Sequence, residues 1–480
     1  MNPGKRDIIS INDLDNSEIE EIFALADEYC RQLATQEAPH QIRGRLDSAG
    51  GFILATLFFE PSTRTRFSFE AAMLRLGGNI LGSTDTATTS VSKGESLADT
   101  VRVIQNYADL IVLRHPCEGA ARAAAEFADI PIVNGGDGSH EHPTQTLCDL
   151  YTLRKERHSI AGQNVLLVGD LKNGRTVHSL VYGLARFGAH IITMPGEGLE
   201  LPADVSARLE AEFGCRPWPK DALRELLADD ASATPIDAVY VAPSGGQQYT
   251  LLKQEEFEPG KIRKHLDKID VCYVTRLQGE RLATGEKNFT SYPVVNEKFL
   301  EHKRYAKAHV LHPLPRVSEL GYELDRDPRG VYFKQAGYGV PVRMALIAKV
   351  LGVSPFKTRH SRESLPGQIY KAESEALCPN PRCITNNPAE RRYLANKALV
   401  LKRKPITLRC LYCDTAVRVA FVGQTKSRTY IPEQDIAELC DIEGLAMFRD
   451  EDQARQAGYA AQGMPGRRHA ASAGFALREG

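Results

Sequence analysis

The stretch FFEPSTRTRFSFEAAMLRLGG, Phe58 to Gly78, decides the fold. An apolar run from Phe52 to Phe59 ends at Glu60-Pro61, and the tetrad Ser62-Thr63-Arg64-Thr65 follows. Phe67, Ala71 and Leu74 then recur at helical spacing, with Ala72 and Leu76 on the adjoining row. The pattern reads as strand, tight turn and helix, with the tetrad at the helix N-terminus. Unfilled first-turn N–H groups and the positive dipole end favour an anion there, and three hydroxyls around a guanidinium add donors. The competing reading is an ordinary Ser/Thr cap, which needs only one such residue. The tetrad is expected to cradle a phosphate.

Outward from this point the chain alternates strand-like and helix-like segments. Helix Ser17–Cys30 precedes strand Phe52–Phe59. Strand Asn79–Gly82, helix Glu95–Tyr107, strand Leu110–Arg114, helix Gly119–Phe127 and strand Ile130–Asn134 follow the tetrad helix. Repeated β-α units predict a parallel sheet covered by helices. A helix from Pro143 to Lys155 leads to a second series with strands Asn164–Val168, Asp237–Ala242, Asp270–Thr275 and Val310–His312, closed by helix Val342–Leu351. The fold class is therefore α/β: two parallel-sheet domains with an active-site cleft between them, plus a small C-terminal β domain around four cysteines.

A length of 480 residues is ample for about three domains by the usual scaling. A formal net charge of −1 gives no bulk attraction to nucleic acid or membrane. The start, MNPGKRDIISIND, has no apolar core of a signal peptide, and no apolar run approaches membrane-span length, so a cytoplasmic protein is expected. Cys30, Cys117, Cys148, Cys215 and Cys272 are scattered in apolar surroundings, as buried free thiols are.

Three motifs have rival readings on residues alone. Gly169-Asp170-Leu171-Lys172-Asn173-Gly174-Arg175-Thr176 nearly fits the nucleotide phosphate loop, with Arg in place of the mechanically important Lys. His140-Glu141-His142 could be a metal site, a plain pair of histidines, or an electrophilic site in which a neutral imidazole donates one proton. Ser90 and Lys93 in SVSKGES lie in a polar, Gly-containing loop of the kind that is usually solvated surface.

EPSTRTRFSFE resembles the carbamoyl-phosphate motif of the aspartate/ornithine carbamoyltransferases. SVSKGESLADT, VLRHPCEGAA, GDGSHEHPTQTL, VGDLKNGRTVHSL, VTRLQGER and HPLPR extend the resemblance, in family order, over residues 5 to 355. The resemblance implies transfer of a carbamoyl group from carbamoyl phosphate to L-aspartate, the committed step of pyrimidine biosynthesis. It implies that Ser62, Thr63, Arg64, Thr65 and Arg114 hold the phosphate, and that Thr65, Arg114 and His142 polarise the carbonyl oxygen. Gln145 and the backbone carbonyls of Pro313 and Leu314 would hold the carbamoyl NH2. Arg175, Arg276, Gln278 and Lys93 would meet aspartate; the cationic side chain of ornithine would be repelled by Arg276. Ser90 and Lys93 would come from a neighbouring subunit, so a homotrimer is implied. Glu60, Arg175 and Arg281 would form ion pairs on domain closure. Tyr338 stands where the family commonly has Asn.

Cys378-x4-Cys383 and Cys410-x2-Cys413, twenty-six residues apart, supply four thiolates to a tetrahedral ion. Structural zinc is the expected cofactor, with an iron–sulfur cluster or a redox dithiol as rivals, and the chemistry itself needs none. CPNPRCITNNP and LRCLYCD resemble the zinc half of the aspartate carbamoyltransferase regulatory chain, which implies docking on a catalytic body. Only about twenty residues precede Cys378 after that body, too few for the nucleotide-binding half, so strong ATP or CTP control is not expected. Arg391, Arg392, Lys397, Lys402, Arg403, Lys404 and Arg409 make a basic segment; thin aromatic interleaving argues against nucleic-acid binding. The expected organisation is 1–150 for carbamoyl phosphate, with a returning helix at 340–355, and 151–339 for aspartate, with an insertion near 215–265. A linker at 356–372, a zinc domain at 373–450 and a disordered tail at 451–480 complete it. The rival to an enzyme is a non-catalytic paralogue that keeps the fold as a scaffold.

Overall fold

The computed structural model describes residues 5–35, 40–83, 90–157, 160–217, 236–243, 268–276, 292–357, 368–372, 377–436, 439 and 441–462. Contacts group the chain into two compact units. Met1–Thr84, Gln105–Arg114 and Asp129–Thr358 form the first; Asp85–Ile104, His115–Ala128 and Arg359–Gly480 form the second.

In the first unit, β1 (Ile53–Phe58) pairs in parallel with β2 (Asn79–Ser83) and β3 (Leu110–His115), and β4 (Ile132–Asp137) completes a sheet ordered β2-β1-β3-β4. The central strand is buried from Leu54 to Phe58, as a parallel sheet covered on both faces requires. A second parallel sheet, ordered β6-β5-β7-β8-β9, contains β5 (Asn164–Gly169), β6 (His190–Pro195), β7 (Ala238–Val241), β8 (Val271–Val274) and β9 (His309–Leu311). The helices of this unit are α1 (Asn16–Leu33), α2 (Thr63–Arg75), α5 (Pro143–Arg157), α6 (Arg175–Arg186), α7 (Ala203–Phe213), α8 (Glu297–Leu300) and α9 (Tyr332–Val350). Helix α1 opens with a reciprocal cap in which Glu18 N donates to Asp15 and Asp15 N donates to Glu18. Helices α5 and α6 approach closely at Gly183, where an added Cβ would meet Thr146 and Leu150 at 2.8 and 2.9 Å.

Helix α9 starts ten residues before the expected Val342 and carries Pro341 inside it. Proline removes one backbone hydrogen bond, at roughly 3 kcal/mol in a helix interior. Packing of α9 against α1, α2 and α5, with Val342 to Val350 buried, outweighs that cost. Tyr338 on this helix donates to Glu156 at 2.8 Å and meets the ring of Tyr151 edge-on. The expected loop and surface helix of the insertion lie outside the described residues from 244 to 267.

The second unit holds α3 (Leu97–Ile104), α4 (Ala120–Phe127) and two small sheets. The first sheet is antiparallel, β10 (Ile369–Lys371), β11 (Lys397–Arg403), β12 (Ile406–Cys410) and β13 (Ala416–Arg418) in order. The second is ordered β16-β14-β15-β17, with β14 (Phe421–Gln424), β15 (Thr429–Pro432), β16 (Leu445–Phe448) and β17 (Ala460–Ala461). Two expectations are corrected here. The last residues of the expected linker form β10, paired to β11. The expected disordered tail is ordered through residue 462, with α10 (Glu451–Gln456) capped by Asp450 and Tyr459 packed edge-on against Phe448. A local cap and one aromatic pair suffice to fold it, and composition alone hides both.

The cysteine-bearing module packs on α4 and the segment before it. Glu118 N donates to Arg382 O and Ile384 N to Glu118 O, both at 2.9 Å. Arg382 pairs with Glu118 at 2.8 Å, and Lys397 with Glu126 at 2.7 Å. Gly119 adopts φ +82°, and a Cβ there would lie 2.6 Å from the Tyr412 backbone, so only glycine allows this approach.

Candidate functional site

A cavity of about 600 Å³ opens in the first unit, in the size range of small-molecule sites. It is lined by the tetrad Ser62, Thr63, Arg64 and Thr65, by Arg114, His142 and Gln145, by Arg175 and Arg276, and by Pro313 and Leu314. Eleven residues singled out by sequence from six separate segments thus share one cavity, with Glu60 also in its wall.

The tetrad sits where β1 hands over to α2. Ser62 is the N-cap in backbone terms, yet its side chain makes no cap hydrogen bond. The hydroxyl is not used as an ordinary cap, and the first turn of α2 lines the cavity. Glu60 holds two guanidinium groups, Arg114 at 2.9 Å from the end of β3 and Arg175 at 3.2 Å from the start of α6. Arg114 also donates to Gly135 O at 2.9 Å, and Arg175 to Gly138 O at 2.8 Å. Burial, with the nearby Arg276 charge, pulls the Arg64 guanidinium below its ordinary value. The cavity is built for polyanionic ligands.

His142 precedes α5, whose first residue is Pro143, and its N–H donates to Ser179 on α6. Burial, then the charges of Arg114 and Arg175, push its imidazole well below the usual histidine range. The ring is held neutral and can donate one proton to an oxygen without being an acid. The neighbouring Glu141 accepts from Ser10 Oγ at 2.6 Å and Ile11 N at 3.2 Å, so its carboxylate pins the N-terminal segment. In the 169–176 loop, Lys172 N and Asn173 N donate to Asp170 at 3.1 and 3.0 Å. These loop amides face a carboxylate, the reverse of a nucleotide phosphate nest.

Leu314 adopts φ +54°, a left-handed conformation costly for a branched side chain. His312 Nδ1 accepts from Leu314 N at 2.8 Å, and its Nε2 meets buried Glu319 at 2.9 Å, which fixes the turn. Leu314 O accepts from Arg64 at 2.8 Å, joining the 312–315 turn to the tetrad.

Sequence reasoning missed a buried network behind the cavity. Asp149 is fully buried on α5; its Oδ1 accepts from Gln145 at 2.8 Å and Gln335 at 2.7 Å, and its Oδ2 from Tyr273 at 2.9 Å. Gln335 Oε1 in turn accepts from His312 N at 2.9 Å. With Gln145 Nε2 committed to Asp149, its Oε1 is left to accept from a ligand N–H. Burial raises the Asp149 carboxyl to about 6 against these bonds. Arg343, buried on α9 in the cavity wall, donates to Ser68 at 2.9 Å and Thr144 at 3.3 Å. A charged residue inside the apolar run VPVRMALIA was the available signal for it.

Ser90 and Lys93 lie in a 3-10 turn of the second unit and are exposed. Gln278 and Arg281 fall outside the described residues.

Cys378, Cys383, Cys410 and Cys413 are all buried, with their Sγ atoms within 4.8 Å of one another. Cys378 and Cys413 are 3.5 Å apart, Cys383 and Cys410 3.9 Å. Tetrahedral zinc with Zn–S near 2.3 Å requires S···S of about 3.8 Å, so the set fits structural zinc. Thr385 Oγ1 donates to Cys383 Sγ at 3.2 Å, steadying a thiolate ligand. When bound, zinc would cross-link the two knuckles of a small domain.

Comparison with known proteins agrees with this geometry. Residues 6–155 match the aspartate/ornithine carbamoyltransferase carbamoyl-P binding domain, and 247–350 the Asp/Orn binding domain of the same family. Residues 376–420 match the metal binding domain of the aspartate carbamoyltransferase regulatory chain. An aspartate carbamoyltransferase catalytic subunit of Clostridium botulinum is 42% identical over 354 residues, covering 72% of this chain and 98% of the relative. The chain belongs to the aspartate carbamoyltransferase family. A catalytic subunit from Thermococcus kodakarensis is also 42% identical, over 72% of this chain and 97% of its own length. Among solved structures, the M. jannaschii catalytic subunit matches with TM-score 0.55 and 42% identity, covering 73% of this chain and 99% of its own. The Trypanosoma cruzi enzyme in complex with carbamoyl phosphate and aspartate matches with TM-score 0.55 and 32% identity, covering 72% and 96%.

Two outcomes follow from the site. Asp149→Ala removes the acceptor shared by the Gln145 and Gln335 NH2 groups and the Tyr273 hydroxyl, so kcat/KM should fall about 10–100-fold, the cost of unsatisfied buried polar groups. Steady-state kinetics beside a thermal melt check this, and parental kinetics in a folded variant would contradict it. The purified chain should contain one zinc. Stripping it with a chelator and a thiol reagent removes about 10–16 kcal/mol of apparent binding energy and should open residues 377–418 to limited proteolysis. Resistance there after metal loss would count against a structural role.

Proposed function

We propose that the cavity transfers the carbamoyl group of carbamoyl phosphate to the amine of L-aspartate, giving N-carbamoyl-L-aspartate and phosphate. The observation that carries the reading is the convergence of the tetrad, Arg114, His142, Gln145, Arg175 and Arg276 on one cavity, in a chain of this family.

In this reading the phosphate rests on the first turn of α2, held by Ser62, Thr63, Arg64, Thr65 and Arg114. Thr65, Arg114 and neutral His142 donate to the carbonyl oxygen, which gains negative charge as the carbon becomes tetrahedral. Gln145 Oε1 and the carbonyls of Pro313 and Leu314 accept from the carbamoyl NH2 and aim the carbon. Arg175, Arg276, Gln278 and Lys93 hold the aspartate carboxylates, which places the unprotonated amine for attack. The new C–N bond forms, the C–O bond to phosphate breaks, and the amine proton leaves with a phosphate oxygen. Glu60, Arg175 and Arg281 form ion pairs on domain closure.

The active assembly in this reading is a homotrimer in the cytoplasm, with Ser90 and Lys93 supplied to the neighbouring subunit's cavity. One observation supports a second copy of the chain: apolar side chains are exposed on α2 (Phe67, Leu74) and edge strand β2 (Ile80, Leu81). Such a face suits a second copy of the chain. Among the described residues, no helix is long and apolar enough to cross a membrane. The cysteine module serves subunit docking or assembly.

The test combines chemistry and complementation. Phosphate release should require both carbamoyl phosphate and L-aspartate, and L-ornithine should not substitute. Lys93→Ala and Arg64→Ala chains, each inactive, should regain partial activity when mixed and reassembled, because some sites then hold both residues. Verified mixed trimers that stay inactive would refute shared sites; no turnover by the parent chain would favour the scaffold alternative.

A further inference from the structure

We propose that Glu390 ties the cysteine module to the loop that carries Ser90 and Lys93, making Glu390 a positioning residue for catalysis. The catalytic half of this inference rests on the reading of Lys93 given above.

Both carboxylate oxygens of Glu390 meet the backbone N–H of Leu97, at 3.0 and 3.1 Å. Leu97 opens α3, and its N–H is one of the first-turn donors that a helix leaves unfilled. Ser96 supplies the local cap, with its Oγ accepting from Asp99 N at 3.1 Å and its carbonyl from Thr100 N at 2.9 Å. That cap does not reach Leu97 N, and a side chain 293 residues away fills the position. Burial, with like charge from Asp99, raises the Glu390 carboxyl, and the bond to Leu97 opposes the rise. A buried carboxylate is stable here because it meets a helix N-terminus.

Each end of this link is anchored. Glu390 N donates to Asn387 O at 3.0 Å, and Asn387 follows the short turn that begins at the metal-ligand position Cys383. On the other side, Glu95 N donates to Ser90 O at 3.3 Å and closes the turn that holds Lys93. Ser92, Lys93 and Gly94 are exposed, whereas Ser96 and Leu97 are buried. The Glu390 bond therefore falls where the loop passes from solvent into packed structure. A few residues link the metal knuckle to the loop on each side of it.

The test uses the full, zinc-loaded chain and reads amide hydrogen exchange by mass spectrometry in parent, Glu390→Ala and Glu390→Gln. Exchange in peptides covering 90–99 should accelerate about 10–100-fold in Glu390→Ala, as expected for loss of a charge-assisted hydrogen bond. Glu390→Gln, which keeps one neutral acceptor, should fall between, and it carries the test if the alanine variant does not fold. Zinc content and exchange across 397–418 should stay parental, which separates loss of the link from collapse of the module. Parental exchange at 90–99 with the module intact would overturn the proposal. The kinetic arm compares kcat/KM for aspartate, which should fall about tenfold or more in Glu390→Ala, in proportion to loosening of the loop. A loosened loop with parental kcat and KM, beside an inactive Lys93→Ala, would overturn the positioning role. Full activity of Lys93→Ala would instead sink the reading of Lys93 and leave the exchange result to decide the link.

Discussion

The carboxylate of Glu60 is the constraint on which the cavity depends. It follows β1 and stands two residues before the tetrad, and it holds Arg114 from the first sheet and Arg175 from the helix after β5. Two guanidinium groups that close to Arg64, Arg276 and Arg343 would repel one another in a partly dry cavity. One carboxylate between them fixes both forks and keeps the wall cationic towards a ligand. Removing one partner of such a network typically costs about 3–5 kcal/mol, because the others are left uncompensated. Arg114 and Arg175, brought to the cavity wall from different segments, thus share one electrostatic keystone.

Behind that wall, a second layer sets direction. Asp149 turns the Gln145 amide, and through Gln335 it reaches the His312–Leu314 turn whose carbonyls face the same space. Preorganised acceptors and donors aimed at one reacting group are what acyl-transfer chemistry requires. The cysteine module extends the same logic to a loop. Its metal-ligand turn is bonded to Glu118, and its Glu390 fills an N–H of α3, so the cysteine module braces two elements of its own unit.

Much of this was legible in sequence. β1 and the tetrad helix fall within a residue or so of the expected bounds, because a buried central strand and a helix start carry local signals. The four cysteines converge as their spacing requires. What escaped was long-range. Asp149, Gln335 and Arg343 look like ordinary polar residues until partners as much as 275 positions away close around them. The start of α9 was hidden by Pro341, whose local cost is outweighed by tertiary packing. The elements beyond Asp450, α10 and β17, were obscured by an Ala-, Gly- and Arg-rich composition, and they are held by contacts such as Tyr459 against Phe448. Tyr338 drew notice as a departure from the family pattern; it faces Tyr151 and Glu156 and is not among the residues that line the cavity.

The central claim is that Glu60 organises the cationic cavity that receives phosphate and aspartate together. The direct measurement is calorimetric titration of parent and Glu60→Gln with N-(phosphonacetyl)-L-aspartic acid, which joins a phosphonate to an aspartate and is the ligand of a Trypanosoma cruzi relative. Saturable binding at one site per chain is expected in the parent. Binding should weaken by about 10²-fold in a folded Glu60→Gln, because the Arg114 and Arg175 forks lose the carboxylate that orients them. Equal or tighter binding by the variant would contradict it.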